Sequence, residues 1–110
     1  MKVTYLDRQG VLRELRRAVE DLARNRPEIQ RVLLFGSLAS GQAVPGSDAD
    51  LLVILTHSDK RFLDRIPLYT PEGCTVGIDV FPYTQAEIDA MRTAGNRFIE
   101  GALAEGLVIW

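Results

Sequence analysis

The sequence predicts an α+β fold, one small β-sheet covered by helices, in a single domain spanning residues 1–110. Three observations lead there. A chain of 110 residues holds one hydrophobic core and leaves no room for a second. A composition of 46% hydrophobic and 25% charged residues is ordinary globular usage and excludes a disordered chain. Segments of helical period alternate with short runs of Val, Leu and Ile, the pattern of helices packed on a sheet. The runs at 32–35 and 51–55 are too apolar to face water on either side, so those strands are expected at the centre.

Taken in order, Val11, Leu12, Leu15, Ala18, Val19, Leu22 and Ala23 recur with helical spacing. Asp7 is the expected N-cap, with Leu6 and Val11 as a hydrophobic staple, and Asn25-Arg26-Pro27 ends the helix. Its outer face carries Arg13, Arg16, Arg17, Glu20 and Arg24, which read as a solvated face. Val32-Leu33-Leu34-Phe35 is a buried strand that runs into Gly36-Ser37, where a helical turn can begin. Gly41, Pro45 and Gly46 prevent residues 38–46 from forming one long element. Asp48 to Leu55 is a second strand, and Ser58 opens a short helix that Pro67 limits. After the turn at Thr70-Pro71-Glu72-Gly73, Thr75 to Phe81 is a third strand, with Gly77 inside it and Pro82 after it. Thr84-Gln85-Ala86-Glu87 is a capping box that starts a helix reaching about Thr93. A further helix over 96–104 leads through Gly106 into a last strand, Leu107 to Trp110.

Charge and cysteine usage narrow the function classes. The net charge is −2 and the pI about 5.3, which argues against direct nucleic-acid binding, since phosphate contacts need surplus Lys and Arg. Up to Ser47 eight basic residues face five acidic ones, a net of +3; from Asp48 onward five face ten, a net of −5. An acidic second half fits a site in which carboxylates hold cations. The single cysteine, Cys74, makes no internal disulfide, and no Cys/His cluster offers a zinc site. Met1 to Arg8 has no apolar signal core, and the longest strongly apolar run, Leu51 to Leu55, is far shorter than the roughly 20 residues that cross a bilayer. The expectation is a cytoplasmic protein with no membrane contact.

The chemistry concentrates between Gly36 and Leu51. Side chains at i and i+2 of a strand share a face, so Asp48 and Asp50 point the same way at the start of an apolar strand. Two such carboxylates are costly beside a core unless cations offset them. Oxygen ligands of this kind suit Mg²⁺. Asp79 repeats the pattern inside Val76-Gly77-Ile78-Asp79-Val80-Phe81. If the two strands are neighbours, three carboxylates converge, a bed for two cations that clamp the attacking and leaving oxygens of phosphoryl transfer. Gly36-Ser37 supplies backbone N–H groups and a hydroxyl for a phosphate, and glycine permits close approach. Gly36-x-x-x-x-Gly41 begins like a P-loop, but Gln42 and Ala43 stand where Lys and Ser/Thr are required. An apolar run after Asp50 excludes a calcium loop.

Gly36-Ser37, ten residues, then Asp48-Ala49-Asp50 resembles the signature of the minimal nucleotidyltransferases of the DNA polymerase β superfamily. Ser47, Leu51, Val53, the Ile78-Asp79-Val80 strand and the C-terminal helix and strand are similar too, so the resemblance covers nearly the whole chain. It implies a nucleotidyltransferase fold with a mixed sheet. It implies transfer of a nucleoside monophosphate, AMP from ATP, to a hydroxyl with release of pyrophosphate, and two Mg²⁺ ions as cofactors. Gly36, Ser37 and Ser47 would bind the nucleotide, Asp48 and Asp50 would bridge the metals, and Asp79 would bind the metal near the acceptor and help activate its hydroxyl. Many relatives read Gly-Ser-x-Ala-Arg-Gly, and this chain has Ser40 in place of that Arg, so a cation near the phosphates is lost.

Family members of this size are commonly paired with a HEPN-type toxin protein, and some adenylylate it. The resemblance therefore implies either that activity, an antitoxin-like binding role without catalysis, or a nucleotide-binding sensor. The short chain favours a protein partner or a second copy of itself, with Phe98 to Trp110 and Arg61 to Ile66 as contact faces. The remaining candidates have simpler readings. His57 is a loop residue, and Lys60, Arg61 and Arg65 form a solvated helix face. Tyr69 and Tyr83 are core-edge packing, Cys74 is inert, and Phe98, Ile99, Leu103, Val108 and Trp110 are core, with Trp110 a candidate partner contact.

Overall fold

The computed structural model describes residues 7–110. Helix α1, Arg8–Asn25, is capped by Asp7, whose side chain accepts from the Gly10 N–H, and ends before Pro27 as its sequence requires. Leu6 of the expected staple lies outside the described residues. Strand β1 is Ile29–Phe35, α2 the single turn Ser37–Ser40, and β2 Ala49–Leu55. Helix α3, Phe62–Arg65, and a 3₁₀ turn at Pro67–Tyr69 lead to β3, Ile78–Thr84. Helices α4, Gln85–Thr93, and α5, Arg97–Glu105, precede β4, Leu107–Val108.

The four strands form one mixed sheet in the order β3-β2-β1-β4, with β2 and β3 parallel and the other neighbours antiparallel. The two most apolar strands, β1 and β2, are central. Each face has its own cover. Val11, Leu12, Leu15, Val19 and Ala23 of α1 pack on Val32, Leu34, Leu51, Val53 and Leu55. On the other face Ile88 of α4 and Ile99 and Ala102 of α5 pack on Leu33, Leu52 and Ile54. Sealing both faces is what allows continuous apolar runs in the central strands.

Some boundaries differ from those read in the sequence. Strand β3 begins at Ile78 rather than Thr75, because the Thr75 N–H and hydroxyl donate to Glu14 of α1 (3.1 and 2.8 Å) and draw that segment off the sheet. Strand β3 also continues through Pro82, which an edge strand tolerates because one row of its backbone groups needs no partner. Arg65 is buried rather than solvated. Its guanidinium donates to the carbonyls of Lys60 (2.9 Å) and Pro82 (3.1 Å) and to both oxygens of Glu87 (2.7 and 3.2 Å). Phe98, Val108 and Trp110, expected in the core, are 40%, 53% and 44% exposed, whereas Ile99 is fully buried. No helix among the described residues is long and apolar enough to cross a membrane.

Candidate functional site

One end of the sheet gathers the chemistry. Because β1 runs opposite to β2 and β3, its C-terminus lies beside their N-termini. Phe35, Asp50 and Asp79 are register partners across the three strands, so they stand side by side in one row on one face. Asp48 lies one residue before β2, and the Ala49 N–H beside it donates to the Gly77 carbonyl at 2.8 Å. Gly36 and Ser37 follow β1 directly, at this same end.

Two glycines make room for the acids. Gly36 has φ +77° and ψ −156°, a region nearly closed to other residues, and a Cβ there would stand 2.7 Å from Oδ2 of Asp50. Its place is set first by that backbone conformation, and the carboxylate lies close against it. Gly77 is not among the site residues that the sequence singles out, yet a Cβ on it would collide with Oδ1 of Asp48. The signal for it is a glycine inside an apolar run, which marks close approach of another group.

Asp50 feels both of the other carboxylates. Partial burial, then the charges of Asp79 and Asp48, push the Asp50 carboxyl above its ordinary value. The ion pairs found among the described residues, Arg24 with Glu20 and Asp21, Arg61 with Asp64, and Arg65 with Glu87, leave all three aspartates out. As a donor set they fit a hard divalent cation: oxygen ligands only, negative, and uncompensated by nearby Lys or Arg pairs. As they stand, no three acidic, His or Cys side chains among the described residues are gathered closely enough to hold a metal ion. Asp48 and Asp79 are exposed and Asp50 half-buried, so side-chain rotation is the movement that coordination requires.

Ser37 opens α2 and is exposed, and the first N–H groups of that turn have no intrahelical acceptor. Ser47 closes the turn that precedes Asp48. Its hydroxyl accepts from the Val44 N–H, and its own N–H donates to the Val44 carbonyl, both at 3.0 Å. Accepting leaves the hydroxyl hydrogen available to donate. The Ser40 hydroxyl turns back onto the Ser37 carbonyl at 3.2 Å.

Beyond Asp50 and Asp79, the same face carries a cluster of three rings. Phe35, Phe81 and Phe98 have centroids 5.1–5.5 Å apart, with Phe98 edge-on to Phe35. His57 follows β2 at the far end of the sheet, bonded to the Thr56 hydroxyl at 3.0 Å, and takes no part. Tyr69 is buried and Tyr83 stacks on Phe62 at 4.8 Å, as packing residues do. Burial and the charge of Glu14 push the Cys74 thiol up, away from reactivity. Asp48 and Asp79 are exposed. Clefts also lie elsewhere, one of about 730 Å³ lined by residues of α4 and α5 and one of about 480 Å³ beside Glu28, His57 and Tyr69.

Residues 12–101 match the family model described as a nucleotidyltransferase domain. Two solved structures share the fold. One is a candidate nucleotidyltransferase from Sulfolobus solfataricus, at 21% identity and TM-score 0.67, covering 94% of this chain and 82% of that one. The other is a toxin–antitoxin structure with AMP-PNP, at 19% identity and TM-score 0.55, covering 86% of this chain and 72% of that one. No curated protein matches the chain at a significant level.

Proposed function

The chain belongs to the nucleotidyltransferase domain family, and from that membership we propose that it transfers AMP from ATP to a hydroxyl on a partner protein, with Mg²⁺ as the required ion. The observation that carries this reading is the row formed by Asp50 and Asp79, with Asp48 beside it and Gly36 against Asp50. Asp48, Asp50 and Asp79 would hold the ions, which supply charge neutralisation for the carboxylates and the phosphate oxygens. Gly36 and Ser37 receive the triphosphate through backbone N–H groups and the serine hydroxyl, and Ser47 donates its remaining hydroxyl hydrogen. In the transfer, the acceptor oxygen bonds to the α-phosphorus and the bond from that phosphorus to the β-phosphate oxygen breaks. Pyrophosphate leaves, and Asp79 would take the hydroxyl proton.

A HEPN-type protein is the acceptor that the sequence resemblance favours. A second reading, an antitoxin-like partner that acts by contact without catalysis, is supported by the exposed apolar side chains of Val108 and Trp110. The experiment incubates the protein and a HEPN-type partner with α-labelled ATP and Mg²⁺. The expected result is label on the partner, lost with Asp48→Asn, Asp50→Asn or Asp79→Asn while each variant stays folded. Label on RNA or a small molecule refutes the partner and leaves the transferase reading standing. Complex formation without label supports the contact reading.

A further inference from the structure

Arg8 opens α1, and the start of a helix is the unfavourable end for a cation, because the helix dipole is positive there. The acid at that end, the N-cap Asp7, accepts from the Gly10 N–H and forms no ion pair with Arg8 among the described residues. The Arg8 guanidinium is directed instead at a different element: Nε donates to the Leu38 carbonyl at 2.9 Å and Nη2 to the Ala39 carbonyl at 3.1 Å. Both carbonyls belong to α2, the turn that begins at Ser37.

Leu38 anchors that turn in the core, with Ala39 packed against the same cluster, but the turn's own hydrogen bonding is thin. It has four residues, no side-chain cap, and glycines with positive φ on both sides, Gly36 (+77°) and Gly41 (+82°). A single turn fixes many torsions for few hydrogen bonds and is unstable alone. Its last carbonyls lack intrahelical donors, and they form the negative end of its small dipole. The planar fork of Arg8 meets two of them at once in a fixed geometry, which the rotating ammonium of a lysine does not pre-organise. The Ser40 hydroxyl donates to the Ser37 carbonyl of its own turn and brings no charge to it. Arg8 also precedes the span matched by the family model, residues 12–101, so that match does not describe it.

We propose that Arg8 is a positioning residue that, from α1, fixes the Gly36–Ser37 turn for the polyphosphate of a nucleoside triphosphate. The ligand class rests on the nucleotide reading above. The positioning of the turn rests only on the two hydrogen bonds and the charge.

The test compares wild type with Arg8→Met and Arg8→Lys. Amide exchange without ligand reads the turn at Ser40, Gly41 and Gln42, whose N–H groups close it onto Gly36 and Ser37. Calorimetry reads the affinity for ATP with Mg²⁺, and separately for Mn²⁺ alone. Expected for Arg8→Met are faster exchange at these amides and an affinity for Mg²⁺-ATP weaker by about tenfold, the loss of one charge-assisted contact. Mn²⁺ binding stays unchanged, and Arg8→Lys recovers part of the affinity. Unchanged exchange in Arg8→Met overturns the proposal. So does an equal loss of Mn²⁺ and Mg²⁺-ATP affinity, which marks general damage to the site. If wild type binds no Mg²⁺-ATP, the nucleotide reading and the ligand half of the proposal fall together, and the exchange data still decide whether Arg8 holds the turn.

Discussion

Asp50 is the residue on which the candidate site turns. It is flanked in the sheet by Phe35 and Asp79, touched by Gly36, and charged against both other aspartates. Its carboxyl is raised, so the fold disfavours its ionised form. Its stabilising contribution is therefore present below the unfolded carboxylate value and lost as pH rises through the raised folded value. Asp50→Asn keeps the shape and removes the charge. The expected outcome is a higher Tm than wild type at pH 7, with the gap closing below about pH 3.5, where the wild-type carboxyl is protonated as well. Thermal melts across pH in the presence of a chelator check this. A lower Tm at pH 7 makes Asp50 a structural hydrogen-bonding group and removes the reason to assign it a cation. The aspartates are legible from the spacing of charges inside apolar runs. Gly77 is not, because its neighbour is the Asp48 carboxylate, nearly thirty positions earlier in the chain.

At the scale of elements, the segment joining α3 to the sheet is fixed by one buried cation. Arg65 links the Lys60 carbonyl before α3, the Pro82 carbonyl of β3 and the carboxylate of Glu87 in α4. Glu87 also accepts from the Thr84 N–H at 2.8 Å, which completes the capping box of α4. The Arg65 hydrogen bond is the main influence that lowers the Glu87 carboxyl. A depressed carboxyl contributes stability above its unfolded value, and that stability is lost as pH falls through the folded value. Glu87→Gln retains the cap and leaves a buried arginine without its counter-charge. It is expected to cost about 1–3 kcal/mol at pH 7 by chemical denaturation, with the difference from wild type shrinking in acid. A variant as stable as wild type at pH 7 removes the ion pair from the account.

The capping box itself is plain in the sequence, as are the Asp7 cap and the period of α1, because these signals lie within a few residues of each other. The burial of Arg65 is not, since it depends on three elements meeting. The boundary of β3 escapes the sequence for the same reason, because Glu14 of α1 holds Thr75. Local chemistry is readable and distant partners are not.

At the scale of the whole molecule, the sheet separates two ends. One carries Gly36, Asp48, Asp50 and Asp79; the other carries His57 and the hydrogen bond from Tyr69 to Glu28. Both faces are sealed by helices, and the central strands β1 and β2 carry Phe35 and Asp50 at the acidic end, so a ligand there binds only the folded chain. Binding to the folded state alone stabilises by about 2.7 kcal/mol at a ligand concentration a hundredfold above Kd. For a chain of this size that is a Tm gain of roughly 10 °C. ATP with Mg²⁺ is therefore expected to raise Tm by this order in wild type, a chelator is expected to abolish the gain, and Asp48→Asn or Asp79→Asn is expected to lose it. Glu87→Gln, remote from the carboxylates in function, should start from a lower Tm and show the same gain. A gain that survives chelator and both aspartate variants would place nucleotide elsewhere on the molecule, with the cleft beside Glu28 and His57 as the first region to map by mutation.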